Sequence, residues 1–225
     1  MKPIASTSFL LFTLAFLYAS GSLAGTVTDI DGNVYKTVTI GTQVWMAENL
    51  RVTHYRNGDS IPNAIDPVTW RDSSGAYCDY DNNSTYSAPY GRLYNWYVIG
   101  DSRGLAPAGW HVATDAEWQT LIDFLGGEGV AGGKLKEAGI VHWDSPNTAA
   151  TNESGFSALP GGFRNGVGDY AYLGFYAEFW SSTESSRVGA WSRDLSCDSS
   201  GVGRWGGYEY GGKEYGNSVR CVKDN

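Results

Sequence analysis

The chain after Gly155 constrains the fold most, because glycines and turn residues punctuate it and aromatic residues are frequent. The whole chain has 30 glycines, 15 tyrosines and 9 tryptophans among 225 residues. Such a composition favours short strands and long loops, with aromatic side chains filling a core that long helices would otherwise supply. Residues 217–224, Asn-Ser-Val-Arg-Cys-Val-Lys-Asp, predict a terminal strand with a buried cysteine.

Earlier segments predict one hairpin and two helices. Residues 37–40 and 43–46 lie on either side of the turn residues Gly41-Thr42, and each segment has alternating side-chain types. This pattern indicates a β-hairpin. Thr114 and Glu117 have the spacing of a capping box, and the residues that follow form one apolar helix face: Trp118, Leu121, Ile122 and Leu125. Gly126 ends that helix.

A second, shorter helix is predicted over residues 130–138, weakened by two glycines in its interior. The order along the chain is therefore a hairpin, then helices, then a meander of strands. This order predicts an α+β fold with two helices, short antiparallel strands and long irregular loops.

The N-terminus has the pattern of a secretory signal peptide. Lys2 precedes an apolar run at residues 9–19, and Ser22-Leu23-Ala24 supplies the small residues that signal peptidase requires. The run is shorter than the roughly 20 residues that span a bilayer. We expect residues 1–24 to be removed and residues 25–225 to form one domain without a membrane span. The protein would then be secreted or lie on the cell surface, or remain in the periplasm.

The charge of the chain disfavours a nucleic-acid partner. The net charge is −8, and residues 1–24 contain one lysine and no acidic residue, so removing them leaves an even larger acidic excess. Binding to phosphates requires clustered lysines and arginines, which the sequence does not contain.

No motif predicts a catalytic centre. The glycines of residues 201–206 match a dinucleotide-binding fingerprint by letter, but neither the preceding strand nor the following helix is present. The histidines lack the spacing of metal ligands: His54, His111 and His142. Nothing in the sequence points to paired carboxylates of the kind that glycosidases use. We therefore expect a non-enzymatic protein, with a secreted enzyme acting on glycans or proteins as the alternative.

Eight segments, in order, resemble the Fibrobacter succinogenes major paralogous domain family. They are GTQVWMAENL (41–50), YGRLYNW (90–96), GWHV (109–112), DAEW (115–118), GKLK (133–136), GFSALPGG (155–162), FWSSTE (179–184) and VRCV (219–222). The resemblance implies a fold related to C-type lectin-like and formylglycine-generating-enzyme-like domains. It implies no particular biochemical activity.

The three cysteines leave the disulfide pattern open. Cys197 follows a predicted strand and Cys221 lies on the last one, so neighbouring strands would allow them to pair in an oxidising compartment. A Cys78–Cys221 pair is the competing possibility, because the family commonly has cysteine at both positions. In a third interpretation all three are reduced and buried.

Calcium is a possible cofactor, because lectin-like folds often hold this ion in loops. Asp79, Asp81 and Asn83 alternate like the opening ligands of a calcium loop, although the glycine and glutamate of an EF-hand are missing. In the alternative interpretation these residues only stabilise turns.

The loop over residues 201–216 carries the functional hypothesis. Trp205, Tyr208, Tyr210 and Tyr215 are spread among its glycines. Flat aromatic faces offer rigid contact area to sugars or to other proteins. We therefore predict a recognition module for a polysaccharide or a surface protein. The alternatives are that these rings cover the core, or that the chain is a structural or adhesive part of a surface assembly.

Overall fold

The computed structural model describes residues 22–72, 74–207 and 211–225 and has an α+β fold. The helices are α1 (Pro67–Arg71), α2 (Ser87–Tyr90), α3 (Trp96–Ile99), α4 (Asp115–Phe124) and α5 (Glu128–Leu135), with 3₁₀ turns at Tyr80–Asn82 and Ser84–Tyr86. The strands are β1 (Ser22–Thr28), β2 (Val34–Ile40), β3 (Gln43–Met46), β4 (Tyr77–Cys78), β5 (Leu93–Asn95), β6 (Trp110–Val112), β7 (Gly161–Arg164), β8 (Tyr170–Leu173), β9 (Tyr176–Glu184), β10 (Ala190–Ser196), β11 (Gly203–Trp205), β12 (Gly216–Asn217) and β13 (Cys221–Lys223). None of the helices in this part of the chain has the length and apolar character needed to cross a bilayer.

The predicted hairpin is confirmed in the first sheet, which has the strand order β1-β2-β3-β13-β6. Ile40 lies opposite Gln43, and Gly41 makes the turn with a φ of 61°, a conformation that glycine adopts without steric cost. Strand β13 lies between β3 and β6, with Cys221 fully buried, as predicted. The predicted terminal strand is shorter than expected, because Gly216–Asn217 joins the second sheet as β12.

Strand β1 begins inside the predicted signal peptide and pairs with β2. Residues 25–28 contribute four of the register pairs between these two strands. The pairing of β1 with β2 therefore does not depend on residues 22–24.

Helix α4 begins as predicted. The hydroxyl of Thr114 accepts a hydrogen bond from the backbone N–H of Glu117, and the carboxylate of Glu117 accepts one from the backbone N–H of Thr114 at 2.8 Å. The predicted second helix is α5, and its glycines have a packing role. A Cβ atom on Gly132 would lie 2.0 Å from the carbonyl oxygen of Gly201, so only glycine permits this close approach.

The second sheet has eight strands, in the order β11-β10-β9-β7-β12-β5-β4, with β8 paired to β7. The described residues after Gly155 form the short strands β7 to β13 and their loops, as predicted. The predicted meander holds only for β9, β10 and β11, because β7 pairs with β9 in parallel and β13 joins the first sheet. The short helices α1, α2 and α3 were not predicted, because helices of four or five residues depend on tertiary contacts more than on local pattern.

One core cluster, between helix α4 and the two sheets, combines aliphatic side chains with packed aromatic rings. The ring centroids of Trp45 and Trp118 are 4.9 Å apart, and each lies 5.7 Å from that of Phe156. The guanidinium of Arg220 is buried 4.3 Å above the Phe156 ring and donates to the carbonyl oxygens of Met46 and Phe156. These contacts attach the end of the chain to the hairpin.

Candidate functional site

One cleft lies on the face of β9 and β10 opposite helix α4. It has a volume of about 270 Å³ and is lined by Phe163, Tyr172, Tyr176, Glu178, Asp194, Trp205 and Tyr215. We refer to it as the β9–β10 cleft. Its lining combines five aromatic rings with two acidic side chains.

Strand alternation and register bring the two acids together. Ala177 and Phe179 point into the core beneath α4, so Glu178 between them faces the cleft. Asp194 lies directly opposite Glu178 on β10, and opposite Gly203 on β11. Like charges in directly opposed positions of a sheet destabilise it, which makes this pair unusual.

Both acids titrate abnormally. Glu178 is only 8% exposed, and burial together with the negative charge of Asp194 raises its pKa to about 8, against a hydrogen bond from Ser192 at 3.4 Å. Burial also raises the pKa of Asp194, against the hydrogen bond that Trp205 Nε1 donates to its Oδ1 at 2.5 Å. A perturbed acid pair in a cleft is a physical mark of a functional site.

The aromatic side of the cleft is continuous. Ring centroids are 6.1 Å apart between Tyr215 and Phe163, 5.7 Å between Phe163 and Tyr172, and 5.1 Å between Tyr172 and Tyr176. Tyr172 is 54% exposed and has a φ of 62°, a left-handed conformation that is costly for a tyrosine. Strained residues cluster at functional sites, where the surrounding structure holds them in place.

Gly203 allows Asp194 and Trp205 to meet. A Cβ atom at position 203 would lie 1.9 Å from Asp194 Oδ1 and 3.0 Å from Trp205 Nε1. Any larger residue would therefore displace the carboxylate or the indole. Gly203 is one of the glycines of residues 201–206 whose spacing matches a dinucleotide-binding fingerprint. In the structure it has a packing role on β11.

Two of the four predicted aromatic residues line the cleft. Trp205 is 44% exposed and Tyr215 is half-buried. Tyr208 and Tyr210 lie outside the described residues. The sequence interpretation missed Glu178 and Asp194, because an acidic residue at one position of a strand carries no functional signal by itself.

The predicted calcium ligands make local contacts with protein groups. Asp79 is buried and accepts a hydrogen bond from Arg92 Nε at 3.2 Å. Asn83 Oδ1 accepts one from the backbone N–H of Thr85 at 3.1 Å, as expected of a turn residue, and Asp81 is exposed with a φ of 55°. Within residues 22–72, 74–207 and 211–225, no three His, Cys, Asp or Glu side chains form a group that could hold a metal. Calcium binding remains a prediction.

The structure does not support the Cys197–Cys221 disulfide. All three cysteines are buried and unpaired. Cys197 follows β10 in the eight-stranded sheet, whereas Cys221 lies on β13 in the five-stranded sheet, and the two pack in different core clusters. The expectation that their strands are neighbours is therefore wrong. Cys78 packs in a third cluster, so the interpretation with three reduced, buried thiols agrees with the structure.

A second cleft, of about 240 Å³, lies beside Arg56, but its polar groups are already hydrogen-bonded within the protein. The guanidinium of Arg56 already donates to the carbonyl oxygens of Ala106 and Trp110. The carboxylate of Asp29 already accepts hydrogen bonds from Asn33 and Tyr35. Because these polar groups are satisfied within the protein, we place the candidate site in the β9–β10 cleft.

Comparison with protein families supports the sequence resemblance. The profile of the Fibrobacter succinogenes major domain matches residues 38–223, which run from β2 to β13. The chain belongs to this family. Comparisons with curated proteins and with solved structures produced no match.

None of the seven residues that line the cleft lies in the eight segments that resemble the Fibrobacter succinogenes major domain. Those segments supply structural residues instead, such as Arg220 in the core. Another is Lys136, whose buried ammonium donates to the carbonyl oxygens of Thr148, Ser196 and Ser199. Family membership therefore accounts for the scaffold, and the function of the cleft must be argued from its own geometry.

Proposed function

We propose that the chain is an exported, non-enzymatic recognition module with a C-type lectin-like architecture, and that it binds a glycan in the β9–β10 cleft. The supporting observation is that exposed aromatic rings, the buried carboxyl group of Glu178 and the half-buried one of Asp194 line the same cleft. Aromatic faces give a sugar ring rigid contact area at a small entropic cost. Carboxyl groups exchange hydrogen bonds with sugar hydroxyl groups: an ionised carboxyl accepts charge-assisted bonds, and a protonated one also donates.

The size of the cleft supports a small ligand segment. Its volume of about 270 Å³ lies just below the range of roughly 300–1,000 Å³ that is usual for pockets binding drug-sized molecules. One or two sugar units of a longer chain fit this volume best. Tyr172 and Trp205 are its most exposed rings, so they are the first to meet a ligand.

Binding is tested by calorimetric titration with a panel of soluble oligosaccharides. We expect the Trp205→Ala, Tyr172→Ala double variant to bind at least about tenfold more weakly, because each lost ring removes roughly 1 kcal/mol of contact energy. The matched control is Phe124→Ala, which removes an exposed aromatic ring on α4, away from the cleft. Circular dichroism shows whether each variant is folded. No binding by the wild type, or equal binding by the double variant, would contradict the proposal.

Export is tested separately by N-terminal sequencing of protein recovered outside the cytoplasm. We expect the mature chain to start at Gly25. An intact N-terminus at Met1 would contradict the export part of the proposal and leave the binding part unaffected.

A glycan-cleaving enzyme is the second candidate, and the state of Glu178 favours it. A pKa of about 8 keeps this carboxyl protonated at neutral pH, as a general acid requires, and Asp194 supplies a second carboxyl. Mass spectrometry of oligosaccharides after incubation separates the two candidates. Cleavage that Glu178→Gln abolishes while binding persists would establish the enzyme. Binding without cleavage would establish the recognition module.

A further inference from the structure

The acids of the β9–β10 cleft have no cationic partner in the described part of the chain. Neither Glu178 nor Asp194 takes part in an ion pair there, and no lysine or arginine is among the described residues that line the cleft. The nearest basic residue along β10 is Arg193, which points to the opposite face and donates to Asp115 at 2.7 Å. The guanidinium of Arg204 on β11 also pairs with Asp115, at 2.8 Å.

Glu178 also keeps an unused acceptor. Its Oε1 accepts a long hydrogen bond from Ser192, whereas its Oε2 has no hydrogen-bond partner among the described residues. The residue is only 8% exposed, and Oε2 is not among the fully buried side-chain atoms that lack a partner, so this oxygen opens into the cleft. A buried, unpaired acid is costly for the protein unless a proton or a bound cation compensates for it.

The aromatic rings provide the other half of a cation site. A positive charge over the face of a tryptophan or tyrosine is attracted by the ring quadrupole, and this attraction grows when water is excluded. The rings of Tyr172 and Tyr176 contact each other edge to face at an angle of 76°, and both line the cleft together with Glu178. Trp205 borders the cleft beside Asp194.

We infer that the β9–β10 cleft binds an organic cation, with a methylated ammonium group held between its aromatic rings and the Glu178–Asp194 pair. This inference rests on the proposed function, because it names the ligand class for the same recognition site: a glycan that carries such a group. The aromatic rings provide the apolar contact for the methyl groups. The acid pair provides the opposite charge, in full once Glu178 is ionised.

A metal ion fits this cleft less well than an organic cation. Calcium takes six to eight oxygen ligands, and here the two carboxyl groups are surrounded by aromatic rings. No group of three acidic, histidine or cysteine side chains that could hold a metal ion occurs in the described residues. A soft, weakly hydrated ammonium needs no such ligand set.

The test compares choline with 3,3-dimethylbutan-1-ol, which has the same shape but carries a neutral carbon in place of the nitrogen. Calorimetry is done on the full mature chain at about pH 9, above the pKa of Glu178, so that this carboxyl is ionised. We expect choline to bind at least about tenfold more tightly than the alcohol, a difference of about 1.4 kcal/mol. The Glu178→Gln, Asp194→Asn double variant should lose this preference. Glu153→Gln, which neutralises an exposed acid paired with Lys134, should keep it.

The outcomes separate this inference from the proposed function. Equal binding of choline and the alcohol, or a preference that survives in the double variant, would overturn the inference. If neutral oligosaccharides bind and choline does not, the inference fails and the glycan proposal stands. If calcium displaces choline or binds in its place, the cleft is a metal site and the inference is wrong. If neither choline nor any oligosaccharide binds, both proposals fail for this cleft.

Discussion

Replacing Glu178 by glutamine should stabilise the protein at alkaline pH. The folded state raises the pKa of this carboxyl from 4.5 to about 8, because burial and the charge of Asp194 both oppose its ionisation. The folded protein therefore holds the proton more tightly than the unfolded chain does. The stabilisation that protonated Glu178 contributes is complete below about pH 4.5, declines as the pH rises from about 4.5 to about 8, and is lost above that, where this carboxyl is ionised in the folded state as well.

The size of this stability difference follows from the pKa shift of Glu178. One pKa unit corresponds to 1.36 kcal/mol, so the full change amounts to about 5 kcal/mol. Side-chain movement and water entering the cleft reduce the penalty, and we expect Glu178→Gln to exceed the wild type by at least about 2 kcal/mol at high pH. Near pH 5 the difference should be small, since glutamine resembles the protonated acid in shape and charge.

Urea unfolding followed by tryptophan fluorescence at about pH 5, 7 and 9 measures this difference. The control is Glu153→Gln, which breaks a surface pair with Lys134 and should change the stability by less than about 1 kcal/mol at every pH. Most substitutions destabilise proteins, so a gain that appears only at high pH is a distinctive result. A stability difference between Glu178→Gln and the wild type that does not change with pH would refute the reasoning.

Three further predictions concern other parts of the molecule. Gly203→Ala should displace the end of the Asp194 side chain and weaken ligand binding in calorimetry, because the new methyl group overlaps the carboxylate. The loss of stability should be small, since this side chain can rotate away; unchanged binding would contradict the packing. His111 lies 2.7 Å from both Asp224 and Glu117; burial lowers its pKa, but these two carboxylates outweigh burial and raise it. The stabilisation from these pairs should be complete below about pH 6.5 and disappear as the pH rises through the raised pKa of His111. The loss should be less than about 1 kcal/mol, because the ring is partly exposed. A His111→Gln variant should lack this pH-dependent change in urea unfolding. The three buried thiols should react slowly with a thiol reagent in the native protein and completely after denaturation, and a non-reduced mass that indicates a disulfide would contradict the structure.

Features that lie within a few residues of one another were predicted from sequence. The hairpin at Gly41 and the capping box of Thr114 and Glu117 are confirmed, because each is specified by neighbouring residues. The family was identified from segments spread along the chain, and the matching profile over residues 38–223 confirms it. The short helices α1, α2 and α3 were missed, because isolated single turns have little local signal.

The disulfide expectation failed for a different reason. It assumed that the strands near Cys197 and Cys221 are neighbours, whereas these strands belong to different sheets. Sequence order does not determine which strands pair, since pairing depends on how the whole core packs.

The sequence by itself therefore determined the family, the mixture of helices and strands, the hairpin and the start of α4. Only the tertiary structure decided which residues come together in the candidate site. Glu178 and Asp194 are opposed because β9 and β10 adopt one register, and a one-residue shift of either strand would turn its own acid toward the core. Their abnormal titration arises from burial beside each other, and burial is a property of the packed fold that neither residue carries in its local sequence.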